Sequence, residues 1–73
     1  MRLLAMKMDG ELILNEMSDG LERSGAQIAV AIGLSSGRLY PALARLERLG
    51  ELTSRWADEA EPRRRLYRIA ADV

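Results

Sequence analysis

The segment LSSGRLYPALARLERLGE, residues 34–51, constrains the fold more than any other part of the chain. Leucines recur in it at spacings of four, three and three, which is the spacing of one face of an α-helix. These residues are Leu39, Leu43, Leu46 and Leu49. Ser35 or Ser36 is expected to cap the helix at its N-terminus, and Gly50 is expected to end it. The segment therefore predicts an amphipathic helix over about residues 36–49.

The predicted helix also carries a cationic stripe. With about 100° of rotation per residue, this stripe lies beside the leucine face and does not overlap with it. Its members are Arg38, Pro41, Arg45 and Arg48. Pro41 lies near the N-terminus, where proline is tolerated best, and Gly37, four residues earlier, adds no side chain to the crowding. Pro41 is therefore interpreted as fixing where the helix begins. A solvated arginine face with weak ion pairs to Glu47 and Glu51 is the alternative interpretation of the stripe.

Two shorter helices are predicted before this one. Asp9 is a candidate N-cap for the first, which should end near residues 18–20, a Ser-Asp-Gly turn. Ser24 is a candidate cap for the second, and Gly33 is its expected end. Residues 1–8 are ambiguous, since they can extend the first helix, form a short strand or pack on another subunit.

After Gly50 the periodicity changes from that of a helix to that of strands. Apolar and polar residues alternate in ELTSRWA and again in RRRLYRIA, and the polar loop DEAEP separates the two runs. This pattern predicts a β-hairpin over about residues 51–70, in which either alternating set can face inward. Trp56 is interpreted as a core residue. The predicted fold is α+β and mainly α: one winged helix-turn-helix domain over residues 1–73, with three helices followed by a two-stranded hairpin, the wing.

Composition narrows the range of functions. The chain has 73 residues, with 11 basic and 11 acidic side chains and no cysteine or histidine. No disulfide or histidine-based nucleophile is therefore possible, and we expect no enzymatic activity, cofactor or metal site. No apolar run approaches the ~20 residues that cross a bilayer, so we expect an intracellular protein without a membrane span. All eight basic residues in 38–73 are arginines, whose forked donors suit phosphates and guanine edges.

One block of the sequence resembles a known family. GRLYPALARLERLGEL, followed by a strand with a tryptophan and then RRRLYRI, is similar to the N-terminal DNA-binding domain of the PadR family of transcriptional regulators. The motif positions are Leu39, Tyr40, Pro41, Leu43, Leu46, Glu47 and Gly50, then Arg64, Arg65 and Tyr67 in the last strand. The resemblance covers about residues 12–70. Members of the family usually dimerise through a C-terminal helical region, but this chain ends at Val73. We therefore expect a homodimer through residues 1–8 and the first helix, and the alternative is that residues 1–8 only complete the small core.

The resemblance implies a sequence-specific, DNA-binding regulator, a repressor that acts as a dimer on a palindromic site. It would be cytoplasmic and associated with the nucleoid. The resemblance also implies that Tyr40 reaches a DNA phosphate, whereas packing against the wing or the first helix is the alternative for this side chain. Arg38 and Arg45 are the expected base contacts. The expected contacts to the DNA backbone are Ser35, Ser36, Gly37, Tyr40, Arg48, Arg63 and Arg64.

The wing has an alternative interpretation as well. Arg63, Arg64 and Arg65 can contact the DNA backbone or minor groove, or they can pair with Asp58, Glu59 and Glu61 across the hairpin. An acidic wing tip and zero net charge favour a different class of function, a winged-helix module that binds proteins and not specific DNA. Steep salt dependence of DNA binding would separate the two classes.

Overall fold

The computed structural model describes residues 2–58 and 63–70, with side chains described from residue 8 onward. Three α-helices and a three-stranded antiparallel sheet make up this part of the chain. The helices are α1 (Arg2–Glu16), α2 (Gly25–Ile32) and α3 (Ser36–Arg48), and the strands are β1 (Arg23–Ser24), β2 (Leu52–Ala57) and β3 (Arg64–Ile69). The predicted order of three helices and a hairpin, mainly helical, is confirmed.

The first helix begins earlier than predicted. It starts at Arg2, so residues 2–8 extend it, and the interpretation of Asp9 as its N-cap is wrong. Asp9 lies in the middle of α1 and is buried where α1 packs on α3, and its carboxylate binds an arginine of α3 there. The helix continues into a 3₁₀ turn, Met17–Asp19, and Gly20 ends it with a φ of 79°, as predicted.

The second helix has the predicted ends. The Ser24 hydroxyl accepts a hydrogen bond from the backbone N–H of Gln27, and the Gln27 side chain accepts one from the backbone N–H of Ser24. This reciprocal capping box satisfies two amides that would otherwise lack partners. Gly33 ends α2 with a φ of 67°, and a short turn leads into α3. Ser35 is the N-cap residue of α3 by its backbone angles, but its side chain makes no capping hydrogen bond.

The third helix packs through the predicted leucine face. Leu39, Leu43 and Leu46 are buried together with Ala42. Leu49, which the periodicity also assigned to this face, is 60% exposed. Leu49 is the C-cap residue and keeps helical backbone angles, but the chain turns away directly after it at Gly50, which has a φ of 76°, so little of the described structure covers the Leu49 side chain.

The sheet has the order β1-β3-β2, with β3 in the centre. The hairpin β2–β3 is the wing, and its register pairs Leu52 with Ile69 and Trp56 with Arg65. Strand β1, only two residues long, pairs with β3 and was not predicted, since two residues carry no periodicity. The β1 pairing joins the start of α2 to the wing, so the sheet fixes the position of the hairpin relative to the helices.

One hydrophobic core holds these elements together. Its fully buried side chains come from all three helices and the turn after α1: Ile13, Met17, Ile28, Leu39 and Leu43. Leu52 and Tyr67 add the inner face of the sheet. Truncation of such a leucine to alanine typically costs about 2–5 kcal/mol, which is a large part of the stability of a domain this small. The core therefore fixes the inner face of α3 and leaves its outer face uncovered by the described residues.

Candidate nucleic-acid interface

The outer face of α3 is accessible and cationic. Pro41, Ala44 and Arg48 are exposed on it, and Arg45 is half-buried beside them. In residues 2–58 and 63–70, neither Arg45 nor Arg48 has a carboxylate within ion-pair distance. The arginine stripe of α3 therefore presents two guanidinium groups whose charges no described side chain neutralises.

Arg38, the third arginine of the stripe, has a partner. Its Nη2 donates to Asp9 Oδ1 at 2.6 Å and its Nε donates to Asp9 Oδ2 at 3.2 Å. The Asp9 side chain is 5% exposed, whereas the Arg38 side chain is 58% exposed. The buried carboxylate requires this compensation, because an unpaired charge inside a protein is strongly destabilising. The pair joins the middle of α1 to the first turn of α3.

The N-terminus of α3 is open to solvent. Ser35, Ser36 and Gly37 are all exposed, and a Cβ added at Gly37 would meet no atom within 4 Å. The Ser35 carbonyl accepts hydrogen bonds from the backbone N–H groups of Arg38 and Leu39. The first amides of a helix have no partner inside the helix, and together they favour a negatively charged neighbour.

Tyr40 leaves α3 on the side that faces the wing. A Cβ built on Gly25 would lie 2.8 Å from Tyr40 Oη and 2.9 Å from its Cε1, so the tyrosine ring rests on the first residue of α2. Neither predicted alternative named this neighbour. The Tyr40 side chain is nevertheless 48% exposed, so packing and a further contact are compatible.

A concave groove of about 660 Å³ separates Tyr40 from the wing. Its lining combines aromatic rings, guanidinium groups and the small residues at the start of α2. These residues are Ser24, Gly25, Ala26, Tyr40, Trp56, Arg63, Arg64, Arg65 and Tyr67. Burial raises the pKa of the Tyr67 hydroxyl above its usual value of 10.0, so this group is a neutral phenol near pH 7. The charge of the groove lining therefore comes from the wing arginines.

Trp56 organises these arginines and is not a core residue, contrary to the sequence interpretation. It is 48% exposed, because its place in β2 lies beyond the edge of the core near the wing tip. The guanidinium carbons of Arg63 and Arg65 lie 5.2 and 5.6 Å from the centre of its ring. Both distances are within the range of cation–π attraction. Trp56 was absent from the predicted interface, and Arg65 was considered for the wing but was not among the expected contacts, although the β-hairpin pattern placed both on neighbouring strands.

A polar network fastens the wing to α3. The Ser54 hydroxyl donates to Glu47 Oε2 at 2.8 Å and accepts from Arg65 Nε at 2.8 Å. Arg65 Nη2 also lies 3.5 Å from Glu47 Oε2. Glu47, which was considered a partner for the arginines of α3, points instead to the wing. The network thus fixes the position of Arg65 relative to α3.

At the wing tip, Arg63 Nη2 donates to Asp58 Oδ1 at 3.0 Å, which is the cross-hairpin ion pair that the sequence left as an alternative. Glu59 and Glu61 lie outside the described residues. Arg64 has no ion-pair partner within the described ranges. The three neighbouring arginines therefore differ in how firmly they are held.

Two further ion pairs secure the sheet. Arg23 donates two hydrogen bonds to Asp19 and holds the pKa of that carboxyl well below its usual range. Arg55 donates Nε to Glu22 Oε2 at 2.7 Å and Nη2 to Glu22 Oε1 at 2.9 Å, which lowers the pKa of Glu22. Both pairs join the segment around β1 to its neighbours, and neither is formed by a residue of α3.

The described residues contain neither a group of side chains arranged to hold a metal ion nor a helix suited to cross a membrane. No group of three or more acidic, histidine or cysteine side chains there is arranged to hold a metal ion. None of the described helices combines the length and the apolar character that a membrane crossing requires.

The two short helices α2 and α3, their tight turn and the following hairpin define a winged helix-turn-helix protein. The family model of the transcriptional regulator PadR-like family matches residues 13–72, and the chain belongs to that family. It is therefore a member of a family of transcriptional regulators, as the Leu-Tyr-Pro block indicated. No curated protein matches the chain.

Proposed function

We propose that this chain is a sequence-specific DNA-binding repressor that inserts α3 in the major groove and lays its wing along the DNA backbone. The observation that carries the proposal is the outer face of α3, where Arg45 and Arg48 have no carboxylate partner in the described part of the chain. The major groove admits an α-helix, and arginine reads guanine there through two hydrogen bonds.

Each predicted contact has a role in this arrangement. Arg45 and Arg38 are the base-reading residues, and Arg48 binds a backbone phosphate. Ser35, Ser36 and Gly37 offer hydroxyl groups and open backbone at the N-terminus of α3, where an anion is favoured. These contacts together would place α3 lengthwise in the groove, with its first turn closest to one DNA strand.

The groove beside the wing suits the other strand. Tyr40 is half-exposed at its edge and can donate its phenolic O–H to a phosphate. Arg63 and Arg64 stand across from it on the wing. A phosphate between Tyr40 and these arginines would fix the register of the protein on DNA without reading sequence.

We further propose that the protein acts as a homodimer on a palindromic site. The side chains of residues 1–7 lie outside the description, but Met8 and Leu12, one turn apart on α1, are exposed. A dimer through residues 1–8 and α1 would cover them. Sedimentation equilibrium of the whole chain tests this: a strict monomer at tens of micromolar, about the concentration needed for a weak dimer, contradicts it. A repressor of this kind acts on the chromosome, so we propose the cytoplasmic nucleoid as its place of action.

Fluorescence anisotropy tests DNA binding. A labelled duplex from upstream of the protein's own gene is compared with a scrambled duplex at low and near-physiological salt. We expect tighter binding to the upstream duplex, with an affinity that falls steeply as salt rises. The variant Arg45→Gln should lose about tenfold or more on the upstream duplex.

Arg68→Gln is the matched control for this test. Arg68 is exposed on β3 next to Tyr67, on the opposite face of the sheet from the core. Its substitution therefore removes the same charge as Arg45→Gln, but at a place away from α3. We expect it to bind within about threefold of the unmodified protein. Equal weak binding to both duplexes, or equal losses for the two variants, contradicts the proposal. Such a result favours the protein-binding module that the Arg63–Asp58 pair and zero net charge support.

A further inference from the structure

The ion pair between Asp9 and Arg38 is bidentate and engages only one edge of the guanidinium group. A guanidinium group has two forked edges, one formed by Nε and Nη2 and the other by Nη1 and Nη2. Asp9 occupies the first of these, with both of its carboxylate oxygens engaged. No described residue accepts a hydrogen bond from Arg38 Nη1. The second fork is therefore open, and the Arg38 side chain is 58% exposed.

The two partners also differ in freedom. Asp9 lies in the middle of a helix, and its side chain is 5% exposed. The adjacent Gly10 brings α1 close to α3, since a Cβ added there would lie 3.5 Å from Leu46 Cδ2. The carboxylate is thus fixed by the packing of α1 on α3, and it holds a guanidinium group that would otherwise sample many rotamers. Holding a long side chain in its bound orientation reduces the ordering cost of binding.

We infer that Asp9 is a positioning residue that aims the open Nη1–Nη2 fork of Arg38 at the N7 and O6 of a guanine in the major groove. The inference rests on the proposed function and deepens it, because it names the base that α3 reads next to its N-terminus. Two parallel hydrogen bonds from this fork match the two acceptors that guanine presents in the major groove, and no other base presents two acceptors there. Asp9 touches no DNA and acts only through Arg38.

The test begins with selection of duplexes from a randomised pool by the whole, unmodified protein. Each guanine of the selected half-site is then replaced in turn by 7-deazaguanine, which lacks the N7 acceptor, and the affinity is measured by anisotropy. We expect one guanine at which this replacement costs the unmodified protein about tenfold in affinity. For Arg38→Gln the cost at that guanine should fall to within about twofold, and for Asp9→Asn it should fall to about threefold.

The controls separate positioning from folding. Arg68→Gln should keep the full cost at the same guanine. Asp9→Asn keeps the size of the side chain, and a loss of thermal stability alone would lower binding to all duplexes equally and leave base preference unchanged. A second measurement needs no variant: in the free protein, NMR should show an Nε–H of Arg38 that exchanges with water more slowly than that of Arg48. Exchange as fast as at Arg48 overturns the inference.

The outcomes for the inference and for the proposed function differ. A selected motif in which the guanine cost is the same for Asp9→Asn and the unmodified protein overturns the positioning role and leaves the DNA-binding proposal intact. A motif without any guanine that depends on Arg38 has the same consequence. Selection of no motif at all overturns both.

Discussion

The arginine stripe of α3 and the arginines of the wing are both cationic, but they lie in different environments. Arg45 and Arg48 point outward without a carboxylate partner in the described residues. On the wing, Arg63 and Arg65 stack on Trp56, and each is also within ion-pair distance of a carboxylate. Arg45 and Arg48 are thus open for new contacts, whereas Arg63 and Arg65, two of the three neighbouring arginines of the wing, are already held by groups of the protein itself.

Secondary structure explains the difference. On a helix a side chain meets those three and four residues away, and Arg45 and Arg48 have no acidic residue at those distances except Glu51, past the helix end. In a hairpin each residue faces one on the other strand, and the register sets Trp56 opposite Arg65. Under the proposed function, this contrast assigns discrimination between sequences to α3 and a pre-arranged contact with the DNA backbone to the wing.

The largest effect should come from the double variants that compare these regions directly. Arg45→Gln with Arg48→Gln should lower the affinity for the preferred duplex by about 100-fold and for a scrambled duplex by about tenfold, since base contacts are lost as well as charge. Arg63→Gln with Arg64→Gln removes the same charge and should cost about tenfold on both duplexes. Anisotropy titrations on the two duplexes provide the measurement.

The salt dependence of binding sharpens this comparison. Each phosphate contact that is lost should reduce the slope of log affinity against log salt by about 0.9. The wing double variant loses two phosphate contacts, so its slope should fall by about twice this amount. The α3 double variant loses only the phosphate contact of Arg48, so its slope should fall by about this amount once. If both variants reduce specific and scrambled binding equally, the division of roles between α3 and the wing is wrong.

The next largest effect should come from Trp56→Ala, which removes the ring beneath two wing arginines and keeps every charge. The arginines would have to be ordered on binding, so we expect about a fivefold loss of affinity on both duplexes, with the salt slope unchanged. Trp56→Phe keeps a ring and should lose about twofold. Circular dichroism should show retained helix content, because Trp56 is half-exposed. A changed salt slope would contradict a purely organising role.

Much of this architecture could be predicted from the sequence, because local signals dominate it. The leucine spacing in α3, the cap at Ser24 and the glycine after each helix act over a few residues. The alternation after Gly50 predicted the hairpin for the same reason. The prediction that Leu49 is buried was wrong, because periodicity reports which face of the helix a side chain lies on but not how far the packed neighbours extend along that face.

The parts that were missed depend on contacts between distant residues. Asp9 looks like a cap because it precedes Gly10 and Glu11, and only the packing of α1 on α3 brings it to Arg38, 29 residues away. Trp56 looks like a core residue by its type, but its position near the wing tip leaves it exposed. For the candidate interface, the sequence therefore indicated which arginines to consider, and the tertiary structure added which of them are already engaged.

A smaller effect should come from Glu47→Gln, which weakens the link between α3 and the wing. Glu47 accepts from Ser54 and lies near Arg65, so its loss should let the wing move relative to the helix. The substitution also removes a negative charge, and this removal by itself should raise the affinity for DNA because it lowers repulsion of the phosphates. Glu51→Gln is the matched control, since Glu51 is exposed and its substitution removes the same charge. We expect Glu47→Gln to bind about threefold more weakly than Glu51→Gln in anisotropy. Equal affinities for the two variants would mean that the network does not position the wing for binding.

The smallest effect concerns the far side of the wing, where Arg55 holds Glu22. Hydrogen bonds from Arg55 lower the pKa of Glu22 from its ordinary value of 4.5, so the pair stabilises the folded state above that value. This contribution is lost as the pH falls through the lowered pKa, when Glu22 becomes protonated in both states. Glu22→Gln should therefore lower the melting temperature by about 2 °C near neutral pH and by less at about pH 3. Glu11→Gln, on the exposed side of α1, is the control for the loss of one charge. A difference in melting temperature between Glu22→Gln and the unmodified protein that stays constant across this pH range would show that the effect does not come from the ionised pair. Equal DNA affinities of Glu22→Gln and Glu11→Gln would confirm that this side of the wing serves stability alone.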